Sequence, residues 1–177
     1  PWYCYPAVEY LNNLDLSNCQ VFEWGAGNSS FYYAKNALNV TSVESNKEWF
    51  EYINNIKPFN MSIQHLTNGN YLNYPLTLNT SFDVVVIDGD KRAECAKIAL
   101  NIISDKGIII LDNADWYKNT CAYLRNMDLI EVDFNGIGPV NAYATTTSFF
   151  LKRSAQLNAK ANLQPRTPLG GLSRDND

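Results

Sequence analysis

Short apolar runs alternate with amphipathic segments along most of the chain, a pattern typical of α/β proteins. The clearest run, residues 82–88, has an unbroken Val-Val-Val-Ile core, which indicates a strand buried on both faces at the centre of a parallel sheet. The predicted strands are residues 19–24, 40–44, 62–66, 82–88 and 108–111, and the predicted helices are residues 6–16, 29–38, 47–57, 92–103 and 116–127. In the helix 92–103 the apolar side is expected to consist of Ala93, Ala96, Ala99, Leu100 and Ile103.

The last two predicted strands, residues 129–134 and 144–151, have no helical segment between them, so we expect an antiparallel pair. The predicted fold class is therefore α/β, a Rossmann-like doubly wound sheet of seven strands, mostly parallel with a C-terminal antiparallel β-hairpin. The asparagine-rich segment 67–81 is predicted to be a loop. Residues 1–153 form the predicted domain, and the polar residues 154–177 are predicted to be a flexible or surface-hugging tail.

Charge and cysteine content narrow the classes of partner. The net charge of −4 and the lack of a basic run make nucleic acid an unexpected partner. No apolar run approaches the roughly 20 residues that span a bilayer, and no export signal is evident, so we expect no membrane partner and a cytoplasmic location. Widely spaced cysteines without a Cys-x-x-Cys pair predict free thiols in a reducing compartment; these are Cys4, Cys19, Cys95 and Cys121.

A glycine turn follows the first predicted strand. Gly25 and Gly27 allow the backbone to turn sharply and to approach a ligand without a Cβ atom in the way. Ser30 stands where a dinucleotide-binding fold would have its third glycine. Glu44 ends the next predicted strand, and one carboxylate can accept hydrogen bonds from both hydroxyls of a ribose. The pattern predicts a site for an adenosine-containing cofactor.

The Glu-x-Gly-x-Gly form of this turn, which begins at Glu23, resembles the first motif of class I S-adenosylmethionine-dependent methyltransferases. In that family the acid faces the cationic amino-acid end of the cofactor, so the resemblance implies S-adenosylmethionine as the ligand. Asn70 falls where related enzymes often place a side chain against the adenine amino group. The predicted cofactor site comprises Glu23, Gly25, Ala26, Gly27, Asn28, Ser29, Glu44, Ser45, Asn70 and Asp88.

Oxygen-bearing side chains follow the fourth and fifth predicted strands. Asp88, Asp112 and Asn113 would suit a hard divalent cation such as Mg²⁺, and a lysine beside that ion, Lys91, would be placed as a general base. This pattern resembles catechol and caffeoyl-CoA O-methyltransferases. It predicts Asp88, Lys91 and Asp112 as catalytic residues and Asp88, Asp112 and Asn113 as metal ligands.

A second resemblance covers the chain to about residue 153. The blocks 1–6, 134–139 and 147–150 resemble those of uncharacterised bacterial methyltransferases. In that pattern Asp88 and Arg92 order the cofactor end or the acceptor without a metal. The sequence leaves the metal-dependent and the metal-free alternatives open.

The loop between the last two predicted strands is a candidate border of an acceptor pocket. If the strand 129–134 is parallel to the central strands, the loop 135–143 lies on the cofactor side of the sheet. The residues expected there are Gly136, Gly138, Pro139, Asn141 and Tyr143, and the aromatic residues that could cover the same mouth are Trp2, Tyr3 and Tyr5.

These resemblances predict a methyltransferase that moves the methyl group of S-adenosylmethionine to a small-molecule acceptor, at a hydroxyl oxygen. One alternative is an S-adenosylmethionine-binding module without turnover. The other is an NAD-dependent oxidoreductase, which would need the missing third glycine and a sixth parallel strand. A homo-oligomer that recruits the acceptor at its subunit interface also remains open.

Overall fold

The computed structural model describes residues 1–161 and 165–174. A seven-stranded sheet with the order β3-β2-β1-β4-β5-β7-β6 forms its centre, which confirms the predicted α/β fold. The strands are β1 Gln20–Trp24, β2 Asn39–Glu44, β3 Met61–His65, β4 Phe82–Ile87, β5 Ile103–Leu111, β6 Ile130–Ile137 and β7 Ala144–Leu151. The helices are α1 Tyr5–Asn12, α2 Asn28–Asn36, α3 Lys47–Ile56, α4 Asn68–Asn73, α5 Arg92–Ile102 and α6 Lys118–Asn126.

Helices cover both faces of the sheet because the central strands are apolar on both sides. In β4, Val84 and Val86 contribute to the core under α1, α2 and α3. Val85 and Ile87 point to the opposite face and contribute to the core under α4, α5 and α6. The alternation follows from the period of two along a strand, and it explains why the run between Phe82 and Ile87 has no polar position after Asp83.

The strands β1 to β5 are parallel, whereas β7 pairs antiparallel with both β5 and β6. Consequently β6 runs in the same direction as β5. The connection between β6 and β7 therefore lies at the carboxyl ends of the parallel strands, as expected for the loop 135–143. The predicted β-hairpin is confirmed, with β7 inserted between β5 and β6.

The largest differences from the sequence predictions concern four segments. The segment 67–81 is not an irregular loop, because it contains α4 and a 3₁₀ turn at Tyr74–Thr77. Helix α1 ends at Asn12. Strand β5 begins at Ile103, five residues earlier than predicted, and β6 continues to Ile137.

Part of the predicted tail lies along the amino ends of the strands. Ala155 and Leu157 pack against the core beside α1 and α2. Asn158 accepts a hydrogen bond from the backbone N–H of Asp15 at 2.9 Å, and Gln156 donates one to the backbone oxygen of Lys106 at 3.1 Å. The remainder of the tail prediction includes residues 162–164 and 175–177, which lie outside the described residues.

The four cysteines are free, as predicted; Cys19 is half-buried and the other three, Cys4, Cys95 and Cys121, are buried. Within residues 1–161 and 165–174, no helix is both long and apolar enough to cross a lipid bilayer.

Candidate functional site

A cavity of about 650 Å³ lies at the carboxyl ends of β1, β2, β4 and β5. This is the edge at which open α/β sheets bind ligands, because helix N-termini and loops meet there. One half is formed by the glycine turn after β1 and by the end of β2. The other half is formed by the end of β5 and by the loop before β7. The residues on the first half are Gly25, Ala26, Gly27, Asn28, Ser29, Glu44, Ser45 and Trp49; those on the second are Asp112, Asn113, Trp116, Val140, Asn141 and Tyr143.

The glycine turn depends on close contact between two backbones. Gly25 has a φ of +91°, and a Cβ atom there would lie 2.7 Å from the Cα atom of Gly89. A Cβ atom at Gly89 would in turn lie 2.9 Å from the Cα atom of Gly25. Both distances are too short for any side chain, so the turns after β1 and β4 touch only because both residues are glycine.

Glu44 connects the glycine turn to the start of α3. Its Oε2 atom accepts a hydrogen bond from the backbone N–H of Ala26 at 3.0 Å, and its Oε1 atom accepts one from that of Asn46 at 2.8 Å. The side chain is buried but reaches the cavity surface. Each carboxylate oxygen has a further lone pair, so Glu44 is held rigidly while it can still accept hydrogen bonds from a ligand diol.

Trp49 forms a second wall of this half. Its Nε1 atom donates a hydrogen bond to the backbone oxygen of Ala26 at 2.6 Å. Its ring stacks on that of Tyr52, with ring centroids 5.4 Å apart. An indole fixed in this way offers a flat apolar surface beside the glycine turn.

Glu23 lies below the turn and does not reach the cavity. Its side chain is fully buried, and its Oε2 atom accepts hydrogen bonds from the hydroxyls of Ser30 and of Ser42, the latter at 3.2 Å. The Ser30 hydroxyl also accepts a hydrogen bond from the backbone N–H of Gly27 at 2.9 Å. Burial raises the pKa of Glu23 to about 7, against the opposing effect of the serine hydroxyls. The structure thus places Glu23 as a support of the turn.

Arg92 joins the ends of β4 and β5. Its Nη2 atom lies 3.0 Å from Oδ1 of Asp88 and donates to the backbone oxygen of the same residue at 3.4 Å. Its Nε atom donates to the backbone oxygen of Gly89 at 3.0 Å. Its Nη1 atom donates to the backbone oxygen of Asp112 at 2.6 Å and to Oδ1 of Asn113 at 3.2 Å.

Two carboxyl groups stand beside this guanidinium. Burial raises the pKa of Asp88, the neighbouring Asp112 raises it further, and Arg92 opposes the rise. Burial also raises the pKa of Asp112, against the opposing effects of Thr147 and Arg92. The Thr147 hydroxyl donates to Oδ1 of Asp112 at 2.7 Å, which fixes the carboxyl group at the end of β5.

The residues predicted to bind Mg²⁺ do not fit a metal site. Oδ1 of Asp88 forms an ion pair with Arg92, Oδ1 of Asn113 accepts a hydrogen bond from Arg92, and one oxygen of Asp112 accepts one from Thr147. The positive charge between the ends of β4 and β5 is therefore supplied by the guanidinium of Arg92. No group of three or more His, Cys, Asp or Glu residues that could hold a metal ion occurs in the part of the chain that the structure describes.

Several other predicted site residues lie away from the cavity. Lys91 is exposed, with a left-handed φ of 53°, and does not line the cavity; its neighbour Arg92 does. Asn70 is exposed on α4, and the next residue, Tyr71, lines the cavity instead.

The predicted acceptor border is present in part. Asn141 and Tyr143 line the cavity, together with Val140, which the sequence analysis did not single out. The predicted border residues Gly136, Gly138 and Pro139 do not line it. Of the N-terminal aromatic residues only Trp2 lines the cavity, Tyr3 is buried in the core, and Tyr5 is exposed away from it.

Trp116 is a further residue that the sequence analysis missed. It lies three residues after Asn113, and its ring centroid is 6.4 Å from that of Tyr143. Its position just after the Asp112-Asn113 turn was the available signal, because loops at this edge of the sheet surround the ligand.

No family model and no curated protein sequence matches the chain. Solved structures do match. A precorrin-6y C5,15-methyltransferase from Geobacter metallireducens GS-15 has 16% identity and a TM-score of 0.64, and the match covers 83% of this chain and 87% of that chain. An rRNA methylase from Streptococcus thermophilus has 13% identity and a TM-score of 0.60 over 84% and 93% of the two chains. A Streptococcus mutans protein in complex with SAH has 12% identity and a TM-score of 0.59 over 81% and 94%. These matches show that the fold is that of class I S-adenosylmethionine-dependent methyltransferases.

Proposed function

We propose that this protein binds S-adenosylmethionine and transfers its methyl group to a hydroxyl oxygen of a small acceptor molecule. The observation that carries the proposal is Glu44, whose buried carboxylate stands beside the glycine turn at the carboxyl edge of a methyltransferase-type sheet. Support comes from solved structures of the same fold, which include methyltransferases and one complex with SAH.

The two halves of the cavity correspond to the two reactants. The Glu44 carboxylate is suited to the ribose hydroxyls, and the ring of Trp49 offers a flat contact for a base. S-adenosylmethionine supplies an electrophilic methyl group on a sulfonium, so the transferred carbon leaves sulfur as it bonds to the acceptor oxygen. Holding the acceptor in line with that bond is the main contribution of the protein.

The acceptor proton needs a base on the second half of the cavity. Asp88 and Asp112 both line the cavity, and either carboxylate can accept the proton as the new carbon–oxygen bond forms. Thr147 and Arg92 hold these groups in place, so their orientation is set before the acceptor arrives. Trp116 and Tyr143 form an aromatic rim that would shield the reacting atoms from water.

The charge of the cavity favours a small acceptor over a polyanion. Four acidic residues and one basic residue line it: Glu44, Asp88, Asp90, Asp112 and Arg92. A phosphate backbone would be repelled at this edge, since nucleic-acid binding relies on lysine and arginine contacts to phosphates. The same argument disfavours the pyrophosphate of NAD, and Ser30 is engaged with Glu23 where a dinucleotide fold has glycine.

Calorimetric titration with S-adenosylmethionine and with S-adenosylhomocysteine tests cofactor binding. We expect micromolar binding to the wild type and about tenfold weaker binding to Glu44→Gln, because a charge-assisted hydrogen bond is lost. Glu48→Gln is the matched control, because Glu48 lies exposed in the first turn of α3 and makes no contact with the cavity. Binding of NAD but of neither S-adenosyl compound would refute the proposal.

Turnover is tested separately. The protein is incubated with methyl-labelled S-adenosylmethionine and a set of small hydroxyl compounds, and the labelled products and S-adenosylhomocysteine are quantified. Labelled ether products that disappear in Asp112→Asn support the proposed transfer. Tight cofactor binding without turnover of any compound would favour the alternative of a binding module.

A further inference from the structure

We infer that Arg92 is a positioning residue that takes the place of a divalent cation, holding the ends of β4 and β5 together so that the site operates without a metal ion. The inference deepens the proposed function, because it concerns the same cavity. Its first test, however, needs neither cofactor nor acceptor.

The guanidinium of Arg92 is held on all three nitrogens by oxygens of the protein. A guanidinium carries five N–H groups. Arg92 donates hydrogen bonds to four oxygens at 2.6 to 3.4 Å and forms an ion pair with a fifth at 3.0 Å. They are the backbone oxygens of Asp88, Gly89 and Asp112, Oδ1 of Asp88 and Oδ1 of Asn113. All three nitrogens of the guanidinium are thus bound within the protein, so the guanidinium serves the architecture of the site.

The acceptors come from two strands that carry the chemistry. Two of the backbone oxygens belong to the turn after β4, and the third belongs to the end of β5. Binding backbone oxygens fixes the strand ends themselves, in addition to the side chains. A hard cation with oxygen ligands would produce the same result, since it too is surrounded by carboxylate and carbonyl oxygens.

Arg92 is the cation of a largely buried cluster of oxygens. The side chain of Arg92 is only 13% exposed. The ring of Tyr117 lies 5.3 Å from its central carbon, in the arrangement of a cation–π contact. Oδ1 of Asp88 lies 3.0 Å from the Nη2 atom of Arg92, and the Nη1 atom of Arg92 donates to the backbone oxygen of Asp112. Removing the guanidinium would leave this cluster of oxygens without a cation, which is costly unless another cation enters.

Titration of the apo protein with Mn²⁺, followed by electron paramagnetic resonance, tests the inference. We expect the wild type to bind no Mn²⁺ at this site below about 1 mM, and Arg92→Ala to bind it at least about tenfold more tightly. That gain should be lost in Arg92→Ala/Asp112→Asn. Lys91→Ala is the matched control. It removes a positive charge at an exposed position, one residue before Arg92, and should behave as the wild type.

A second measurement separates positioning from a purely structural role. We expect the affinity of the wild type for S-adenosylhomocysteine to be the same in EDTA and in Mg²⁺. Affinity lost in Arg92→Ala should be partly restored by Mn²⁺, which a variant with general structural damage would not show. If Arg92→Ala does not fold, Arg92→Gln, which removes the charge but keeps two N–H donors, is used for the same comparison.

Two results would overturn the inference. One is Mn²⁺ binding by the wild type that Asp112→Asn abolishes. The other is a folded Arg92 variant that gains no Mn²⁺ affinity. If the wild type binds no S-adenosyl compound, the proposed function fails, but the Mn²⁺ titrations still decide the role of Arg92.

Discussion

Replacing Glu23 by glutamine should change how the stability of the protein depends on pH. The carboxyl group is fully buried, and burial raises its pKa from an ordinary value of 4.5 to about 7. Between these values the folded protein retains a proton that the unfolded chain has released. The free energy of unfolding is therefore highest below the unfolded pKa and falls as the pH rises through the folded pKa.

The expected magnitude follows from the two pKa values of Glu23. Each tenfold difference in proton affinity corresponds to about 1.4 kcal/mol, so the rise from 4.5 to about 7 makes the ionised protein less stable by about 3 kcal/mol. Most of this loss, about 2 to 3 kcal/mol, falls between about pH 5 and about pH 8. Glutamine has nearly the same shape and cannot ionise, so Glu23→Gln should lack this component.

Urea denaturation of the apo protein across this pH range measures the effect. The difference in unfolding free energy between Glu23→Gln and the wild type should grow in favour of the variant as the pH rises. Groups that titrate in both proteins cancel in this difference, and Glu48→Gln, at an exposed position, supplies the control. A difference that stays constant from about pH 5 to about pH 8 would refute the argument that burial governs this carboxyl group.

Two further predictions concern the glycine turn and the thiols. Gly25→Ala should reduce the unfolding free energy by about 2 kcal/mol or more in urea denaturation, because φ is +91° and the new Cβ atom would meet Gly89. Gly69→Ala is the control and should cause no such loss, because a Cβ atom there meets nothing within 4 Å. Equal effects of the two substitutions would contradict the contact between the turns. Ellman's reagent should react slowly with the native protein, first at half-buried Cys19, because burial raises the pKa of that thiol to about 11. In urea it should react rapidly with all four thiols. A fast phase in the native protein that persists in Cys19→Ser would show that another cysteine is accessible.

Strands were predictable from the sequence where burial on both faces demands an unbroken apolar run, as in β4. The start of β5 was not, because Asp105 and Lys106 are exposed and Gly107 resembles a turn. In the structure Gly107 is instead a point of close approach, since a Cβ atom there would lie 3.0 Å from the backbone oxygen of Phe82. The structural role of Gly107 depends on the neighbouring strand β4, and a pattern of adjacent residues gives no information about that strand.

Helix α4 was missed for a related reason. Its sequence, Asn-Gly-Asn-Tyr-Leu-Asn, has low helix propensity. Its one buried residue is Tyr71, whose backbone oxygen accepts a hydrogen bond from Nε1 of Trp24 at 3.0 Å. Tertiary contacts of this kind outweigh local propensity, and they are visible only in the folded chain.

In the candidate site, the sequence predicted the glycine turn and the strand-end acids but not which basic residue faces the cavity. The buried residues of α5 are Cys95, Ala96, Ala99 and Ile102, and Ala93, which was expected among them, is exposed. Arg92 lies three and four residues before Cys95 and Ala96, so it shares their face, whereas Lys91 precedes the helix in a left-handed conformation. The helical period is therefore consistent with Arg92 on the buried side of α5, but placing Ala93 on that side rotated the predicted face away from Arg92.

Because β7 is inserted between β5 and β6, the two halves of the cavity can form at different times as the chain is synthesised. Strands β1 to β4 and their connections, which supply the glycine turn and Glu44, form one continuous stretch between residues 20 and 91. Strand β6 pairs with β7 alone, so its backbone has no neighbour on a ribosome until the residues of β7 have emerged. The half with Tyr143 is thus completed last, and a chain interrupted before residue 144 would retain the first half while exposing the bare edge of β5.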